Sequence, residues 1–407
     1  MGSEQYLKRA RREPRTGKVD ALLDAKLKGV EWGEFRLGDL FEKINLRFKK
    51  SIFDKDKDIS KKKSSEFNLP LINAKDGDNG IMYYGREKDF ESIKMSIDIV
   101  NDGAISTGNV YSQPQKTGVL YNAYLIKPKF GVNEKLLHFL TSTTKKSIKH
   151  KFGYENKAGW TKVKIEKIQL PTKNGKIDFE FMENFIAELE AQKIARLEAY
   201  LVENGLKEYR LSQEEEAVLR DFESGNIEWG EFKIGDLFEK LNLKTHKKPF
   251  DKVKDTSSIP TDEFSLPLVN AKFGNNGVMF YGREEDFDSA EMTIDIISNG
   301  AIATGTVYAQ PHKTGVLWDA YLLKAVVDDI TKNKLLYLST SIEKSIKLKF
   351  GWDNKAVWSK VQHKLFSLPT KNNQPDYALM QTLISAVQKL VVKDVVLYVE
   401  SKKGKRI

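Results

Sequence analysis

Five histidines, at positions 138, 150, 246, 312 and 363, are the first side chains to test for chemistry. No two stand four residues apart, and no carboxylate cluster accompanies them. The chain has no cysteine, so thiolate ligands and disulfides are excluded and a metal site is not expected. GAISTG, residues 103–108, has the glycine spacing of a phosphate loop. Asn109 stands where such a loop needs lysine, so turn geometry explains the glycines. Glu155-Asn156-Lys157 and Asp353-Asn354-Lys355 have the acid-x-Lys form of some nucleases, without a partner aspartate for a metal ion. There is no serine nucleophile elbow and no dinucleotide-binding glycine loop. The sequence offers side chains that bind and no reaction centre.

Those side chains come in two parallel sets. NAKDGDNGIMYYGRE (73–87) carries Asn73, Lys75, Asp76, Asn79 and Arg86, and NAKFGNNGVMFYGRE (270–284) carries Asn270, Lys272, Asn275, Asn276 and Arg283. Asparagine can make paired hydrogen bonds to adenine, arginine or lysine to guanine, and aspartate can accept from cytosine. Gly77, Gly80 and Gly85 suggest tight turns that present them; for Asn79-Gly80, ordinary hairpin chemistry is the stronger reading. A second loop offers Ser106, Thr107, Asn109, Tyr111 and Gln113, matched by Ala303, Thr304, Thr306, Tyr308 and Gln310. A third interleaves Lys149, Lys151, Tyr154, Lys157 and Trp160, matched by Lys347, Lys349, Trp352, Lys355 and Trp358. Ammonium groups neutralise phosphates, while rings pack on sugars or brace the loop. Trp160 and Trp358 read equally as contact and as core.

The elements that position these residues are duplicated as a whole. The two segments above begin 270 − 73 = 197 residues apart, and EWGEFRLGDLFEKINL from Glu31 recurs as EWGEFKIGDLFEKLNL from Glu228 at the same offset. The copies stay in register to Lys324, gain one residue before Lys344, and run on to LPTKN at Leu170 and Leu368. Such a period is far longer than a solenoid repeat and marks a tandem domain. GIMYYG, GAIST and VLYNAYLIK alternate apolar and polar residues and predict short strands, while Leu136, Leu137, Leu140 and Ile148 have helical spacing. The expected fold class is α+β. The domains are a basic segment 1–28, a globular domain 29–178, a helix 179–203, a connector 204–227, a second globular domain 228–376, and a helix with basic tail 377–407. In the connector, Ser212 and Glu215 fit a capping box.

Met182, Phe185, Ile186, Leu189, Ile194, Leu197 and Leu201 stripe the first long helix. Met380, Leu383, Ile384, Val387, Leu390, Val391, Val395 and Val399 stripe the second. The stripes are expected to pack on each other; the alternative is that each helix caps its own domain. The 407 residues carry 67 Lys and Arg against 57 Asp and Glu, a net charge of +10 that favours polyanions such as nucleic acid. No apolar run is long enough to span a bilayer, so a cytoplasmic protein without membrane contact is expected. Lys8, Arg9, Arg11, Arg12, Arg15 and Lys18 read as a tail or cloning remnant sooner than as phosphate contacts.

The order globular unit, long helix, globular unit, long helix resembles the specificity subunit of type I restriction–modification systems, with relatives in type II systems that have bipartite sites. The local marks are WGEFRLGDLF from Trp32 and WGEFKIGDLF from Trp229, and the exits IQLP (168–171) and FSLP (366–369). The resemblance covers nearly all of residues 29–401. It implies two target-recognition domains separated by a long antiparallel two-helix coiled coil with pseudo-twofold symmetry. Each domain would read half of a split site in double-stranded DNA. Modification subunits that methylate adenine with S-adenosylmethionine would dock on the helices, at Phe185, Leu189, Leu197, Leu383, Val387, Val391 and Val395. A restriction subunit would join them, and the chain itself would hold no cofactor and do no chemistry.

Members of this family commonly carry dissimilar domains; here the two are close copies, so the half-sites should be inverted and near-identical. The helix length is expected to set their spacing: about 24 residues at ~1.5 Å each give roughly 36 Å, near one turn of B-DNA, so half-site centres about 10 bp apart are expected. Asp76/Phe273, Asp78/Asn275, Ser106/Ala303 and Asn109/Thr306 differ between copies and are candidates for any difference between half-sites. A stand-alone DNA-binding regulator is the competing reading.

Overall fold

Strands form where the sequence alternates and glycine or asparagine ends the run. The structure, a computed structural model, describes residues 21–244 and 249–404. Lys8, Arg9, Arg11, Arg12, Arg15, Lys18 and His246 lie outside the described residues. The chain divides into two units between Ile194 and Ala195, inside a helix.

In the first unit α1 (Ala21–Lys28) precedes β1 (Glu31–Arg36). β1 pairs antiparallel with β10 (Lys167–Lys173), Glu31 opposite Thr172, so the start and end of the globular part lie side by side. Asn174 and Gly175, both at positive φ, turn β10 into β11 (Lys176–Ile177). Between β1 and β10 lie two sheets. One is antiparallel, in the order β2 (Phe41–Ile44), β9 (Ala123–Pro128), β6 (Ser96–Val100), β7 (Val110–Gln113). The other runs β3 (Ile59–Ser60), β5 (Ile81–Gly85), β4 (Leu69–Ile72), β8 (Gly118–Val119), with β4 and β8 parallel. α2 (Glu134–Ile148) starts where Asn133 Oδ1 accepts from the Leu136 N–H at 3.0 Å. Its Leu136, Leu137, Leu140 and Ile148 are buried with Phe41, Ile97 and Ile99 of the first sheet, as their spacing predicts.

The second unit repeats this topology. β12 (Trp229–Lys233) pairs with β22 (Leu365–Lys371), which turns into β23 (Gln374–Pro375). The antiparallel sheet is β13 (Phe238–Lys240), β21 (Ala320–Ala325), β18 (Thr293–Ile297), β19 (Val307–Gln310). The mixed sheet is β14 (Thr256–Ser257), β16 (Val278–Gly282), β15 (Leu266–Val269), β20 (Thr314–Val316), with β17 (Ser289–Ala290) added at its edge. α5 (Lys332–Ile346) corresponds to α2.

The long helices are α3 (Phe179–Glu203) and α6 (Tyr377–Gly404). Their first turns cap their own domains. Met182, Phe185 and Ile186 are buried with Leu23 of α1, and Met380 and Leu383 with Leu335 and Phe366. Phe185 and Leu383, expected on a partner-binding face, are therefore core residues, and Leu189 packs against the first core. Leu197 is half-buried, while Val387, Val391 and Val395 stay exposed.

In the second unit α4 (Gln213–Glu223) rests on α6. Its capping box joins Ser212 and Glu215, and Glu215 also accepts from the Ser385 hydroxyl at 2.7 Å and the Lys389 ammonium at 2.8 Å. Burial alone would raise the Glu215 pKa. Lys389, the Ser212 N–H and the Ser385 hydroxyl overcome it and hold the carboxyl down at about 2. Glu198, near the end of α3, pairs with Lys403 in the last turn of α6.

Candidate nucleic-acid interface

The recognition candidates lie on loops that the two sheets and the end of the α2 or α5 helix carry and that tie to one another. Gly77 N–H donates to the Tyr111 hydroxyl at 2.9 Å, and Asn109 Nδ2 to Asp76 Oδ1 at 2.8 Å, joining loop 73–80 to strand β7. Lys149 Nζ donates to the Ile105 carbonyl at 2.7 Å, and Ala158 N–H to the Asn101 carbonyl at 3.0 Å. These bonds bring loop 149–158 against loop 101–109, where Lys157 also pairs with Asp102. The Asn122 N–H reaches Asn73 Oδ1 at 3.0 Å and adds the turn 120–122. The second unit repeats the ties through Gly274 to Tyr308, Lys347 to Ile302, Ala356 to Ser298, and Asp319 to Asn270. Four loops thus converge at one end of each domain.

Convergence does not leave every candidate free. Asn73 and Asn270 are brackets, with Oδ1 accepting from the turn and Nδ2 directed at the sulfur of Met82 or Met279. Asn79 and Asn276 sit at φ 53° and 52° and donate to the Ser112 and Ala309 carbonyls, which is hairpin chemistry. Gln113 and Gln310 return the bond by donating to the Asn79 and Asn276 carbonyls. Ser106, Thr107 and Asn109 are buried, as are Thr304 and Thr306. Their hydroxyls and amide hold the loop together instead of facing outward.

Arg86 donates to Glu66 at 2.7 Å, to Asp89 at 2.7 Å and to the Lys57 carbonyl at 2.6 Å, with its guanidinium over the Phe67 ring. Arg283 repeats this with Glu263, Asp286, the Lys254 carbonyl and Phe264. Neither has a face left for guanine. Lys149 and Lys347 donate to loop carbonyls, and burial lowers their pKa values. Lys151 pairs with Glu166 and Lys75 with Asp78. Trp160 and Trp358 pack edge-on against Tyr124 and Tyr321 beside the cores, so they are structural.

What remains outward is a smaller set. Asp76, Asn275 and Lys349 are exposed, and Lys272 is half-buried. Tyr154 and Trp352 are 75% and 76% exposed, each with a lysine, Lys157 or Lys355, near its ring. Phe273, a candidate for a difference between half-sites, is exposed where copy one has Asp76, and Tyr121 and Trp318, which no motif marked, are exposed in the turn beside the Asn73 and Asn270 brackets. The paired segments VLYNAY and VLWDAY carried the signal, an aromatic residue in a turn, where each ring meets a phenylalanine edge-on, Phe53 or Phe250, and keeps most of its surface exposed.

Beneath the first loop lies a group with no motif. Asp98, in the middle of β6, is fully buried, and neither carboxylate oxygen has a hydrogen-bond partner among the described residues. Gly80, at φ 76°, lies over it; a Cβ there would stand 2.2 Å from Asp98 Oδ2. Burial pushes the Asp98 pKa well above its ordinary value and so favours the protonated carboxyl. Asp295 beneath Gly277 is its counterpart.

A family model described as type I restriction modification DNA specificity domain matches residues 29–199 and again 226–391. The chain belongs to this family. It is a specificity subunit of a restriction–modification system, its work is DNA sequence recognition, and the stand-alone regulator is not favoured. It is 23% identical over 378 residues to the specificity subunit S.BcgI of a type II restriction enzyme from Heyndrickxia coagulans, covering 89% of this chain and 96% of that one. It is also similar to the crystal structure of the S subunit of a type I restriction–modification system from M. genitalium, at 14% identity and a TM-score of 0.57, covering 96% and 95% of the two chains. That likeness supports the α+β fold. The specificity domain is present twice, which fits a bipartite target. Among the described residues no helix is long and apolar enough to cross a membrane.

Proposed function

We propose that each specificity domain reads one half of a bipartite, near-palindromic DNA site through its four converging loops. The chain performs no chemistry of its own. Modification subunits carrying S-adenosylmethionine methylate adenine within the site, and a restriction subunit completes the assembly. The exposed valines 387, 391 and 395 of α6 form the docking face for a modification subunit. The observation that carries this reading is the repetition, in both units, of one loop end that presents lysines and unburied aromatic rings. Like modules call for like half-sites.

The copies differ where it counts for readout. Asp76 and Asn109 are bonded to each other in copy one; Phe273 and Thr306 replace them in copy two, where Thr306 binds Lys347. Of the four differing positions, 106/303 and 109/306 are buried and 78/275 is exposed but tied locally, Asp78 to Lys75 and Asn275 to the Val278 carbonyl, so Asp76 and Phe273 contact DNA and their partners set their pose. The test expresses the chain with its modification subunits and maps the methylated motif. Exchanging Asp76 and Asn109 for Phe and Thr should alter one half-site by about tenfold in preference, the discrimination of one good contact. A motif that is not bipartite, or is unchanged by the exchange, counts against the reading.

A further inference from the structure

The tip of the GAISTG loop is an isoleucine that the fold holds in water. Ile105 is 84% exposed, and Ile302 in GAIATG is 84% exposed as well. Single exposed apolar residues are ordinary. These two differ because the backbone is constrained to present them. The preceding alanines, Ala104 and Ala301, sit at φ 51° and 49°, a left-handed conformation that a residue with a Cβ adopts at a cost. Around them the loop is locked. Gly103 N–H donates to Thr107 Oγ1 at 3.0 Å and Ser106 Oγ to the Gly103 carbonyl at 2.9 Å; Gly300 N–H donates to Thr304 Oγ1 at 3.0 Å. The carbonyl of each isoleucine is held by an ammonium, Lys149 Nζ at 2.7 Å or Lys347 Nζ at 2.9 Å.

Between the copies Ser106 becomes Ala303, Asn109 becomes Thr306 and Asp76 becomes Phe273, while the strained alanine and the isoleucine are retained together with the glycines and the threonine that lock the loop. A loop tip meant only for solvent needs neither strain nor a branched apolar side chain. We propose that Ile105 and Ile302 are wedges that enter the bound duplex, each unstacking one base step of its half-site. The proposal rests on the reading of the four loops as the DNA face and deepens it. Apolar side chains on rigid supports act in this way, and the unstacking lets the duplex bend onto more of the protein. Lysine and aromatic groups on the adjoining loop, Lys157 with Tyr154 and Lys355 with Trp352, would flank the entry point along the backbone.

The test uses the full chain alone, so that no methyltransferase extrudes a base. Duplexes enriched by the chain from a randomised pool are resynthesised with 2-aminopurine at each adenine in turn. Binding should raise the fluorescence several-fold at one step of each half-site. Ile105→Ala should remove the signal in one half-site and Ile302→Ala in the other, each weakening binding roughly tenfold, the scale of a contact that offsets unstacking. Leucine at either position should keep both signals. Tight binding without any fluorescence rise, or a rise that survives both alanine variants, overturns the wedge and leaves the DNA face standing. Alanine variants that bind DNA normally but lose the modification subunits on co-purification overturn it in favour of a protein contact. Failure to enrich any sequence overturns the DNA-face reading and the wedge with it.

Discussion

The buried carboxyls of Asp98 and Asp295 show how a single residue can shape a recognition loop without touching a ligand. Each lies in the central strand of its sheet, under a glycine whose missing side chain makes room for it. Burial raises both pKa values, so the folded protein binds protons there that the unfolded chain has released. This contribution to stability is fully present below the ordinary carboxyl pKa of 3.8 and is lost as pH rises towards the raised folded value. The double variant Asp98→Asn, Asp295→Asn should flatten the decline by up to about 1.4 kcal/mol per pH unit for each carboxyl. Urea unfolding from pH 4 to pH 8 measures it; the slope is the readout, whatever constant offset the amides bring. An unchanged slope would mean that neither carboxyl is protonated in the fold.

At this scale the sequence was only partly legible. The residue types that read base edges also read the chain's own groups. Arg86 was a sound candidate for guanine by type, but Asp58 and Glu66, which hold it, lie 28 and 20 residues away, and no local pattern links them. Asn79 was read correctly as hairpin chemistry because a turn is local. Tyr121 and Trp318 were passed over because exposure is a property of the packed domain.

Among the elements, helices announced themselves and their covered faces did not. The α2 stripe and the Ser212–Glu215 box depend on neighbours within one or two turns, so spacing sufficed. The α3 and α6 stripes look the same in sequence whether a partner or the same domain covers them, and the first turns proved to be core. The clamp between α4 and α6 is testable through its charge. Because the Glu215 pKa is depressed to about 2 from 4.5, its stabilisation is present above pH 4.5 and lost as pH falls towards 2. Glu215→Ala strands Lys389 and should destabilise the second domain by about 3 kcal/mol at pH 7, as broken buried pairs do. The difference from the parent should shrink on acidification in thermal melts; a gap constant with pH would remove the ion pair from the explanation.

For the whole molecule, the duplication was legible in full because it is written in long, nearly gapless matches, and topology followed it except for the added edge strand β17. The distance between half-sites is a weaker inference from sequence, because helix length alone does not fix where two helices overlap. If the long helices act as the spacer, removing one heptad from both α3 and α6 should shorten the interval between the two methylated half-sites by about 3 base pairs or more, since seven residues span roughly 10 Å. An interval that stays fixed in the mapped motif would assign the spacing to something other than the helices.

The pairing of β1 with β10, and of β12 with β22, has a consequence for how new specificities arise. The polypeptide enters and leaves each globular body through adjacent strands, like two wires in one socket. A foreign insert with matching ends could take the place of everything between Arg36 and Lys167, or between Lys233 and Leu365, with the flanking helices covalently continuous, provided the insert brings its own apolar face for Phe185 or Leu383 to cover.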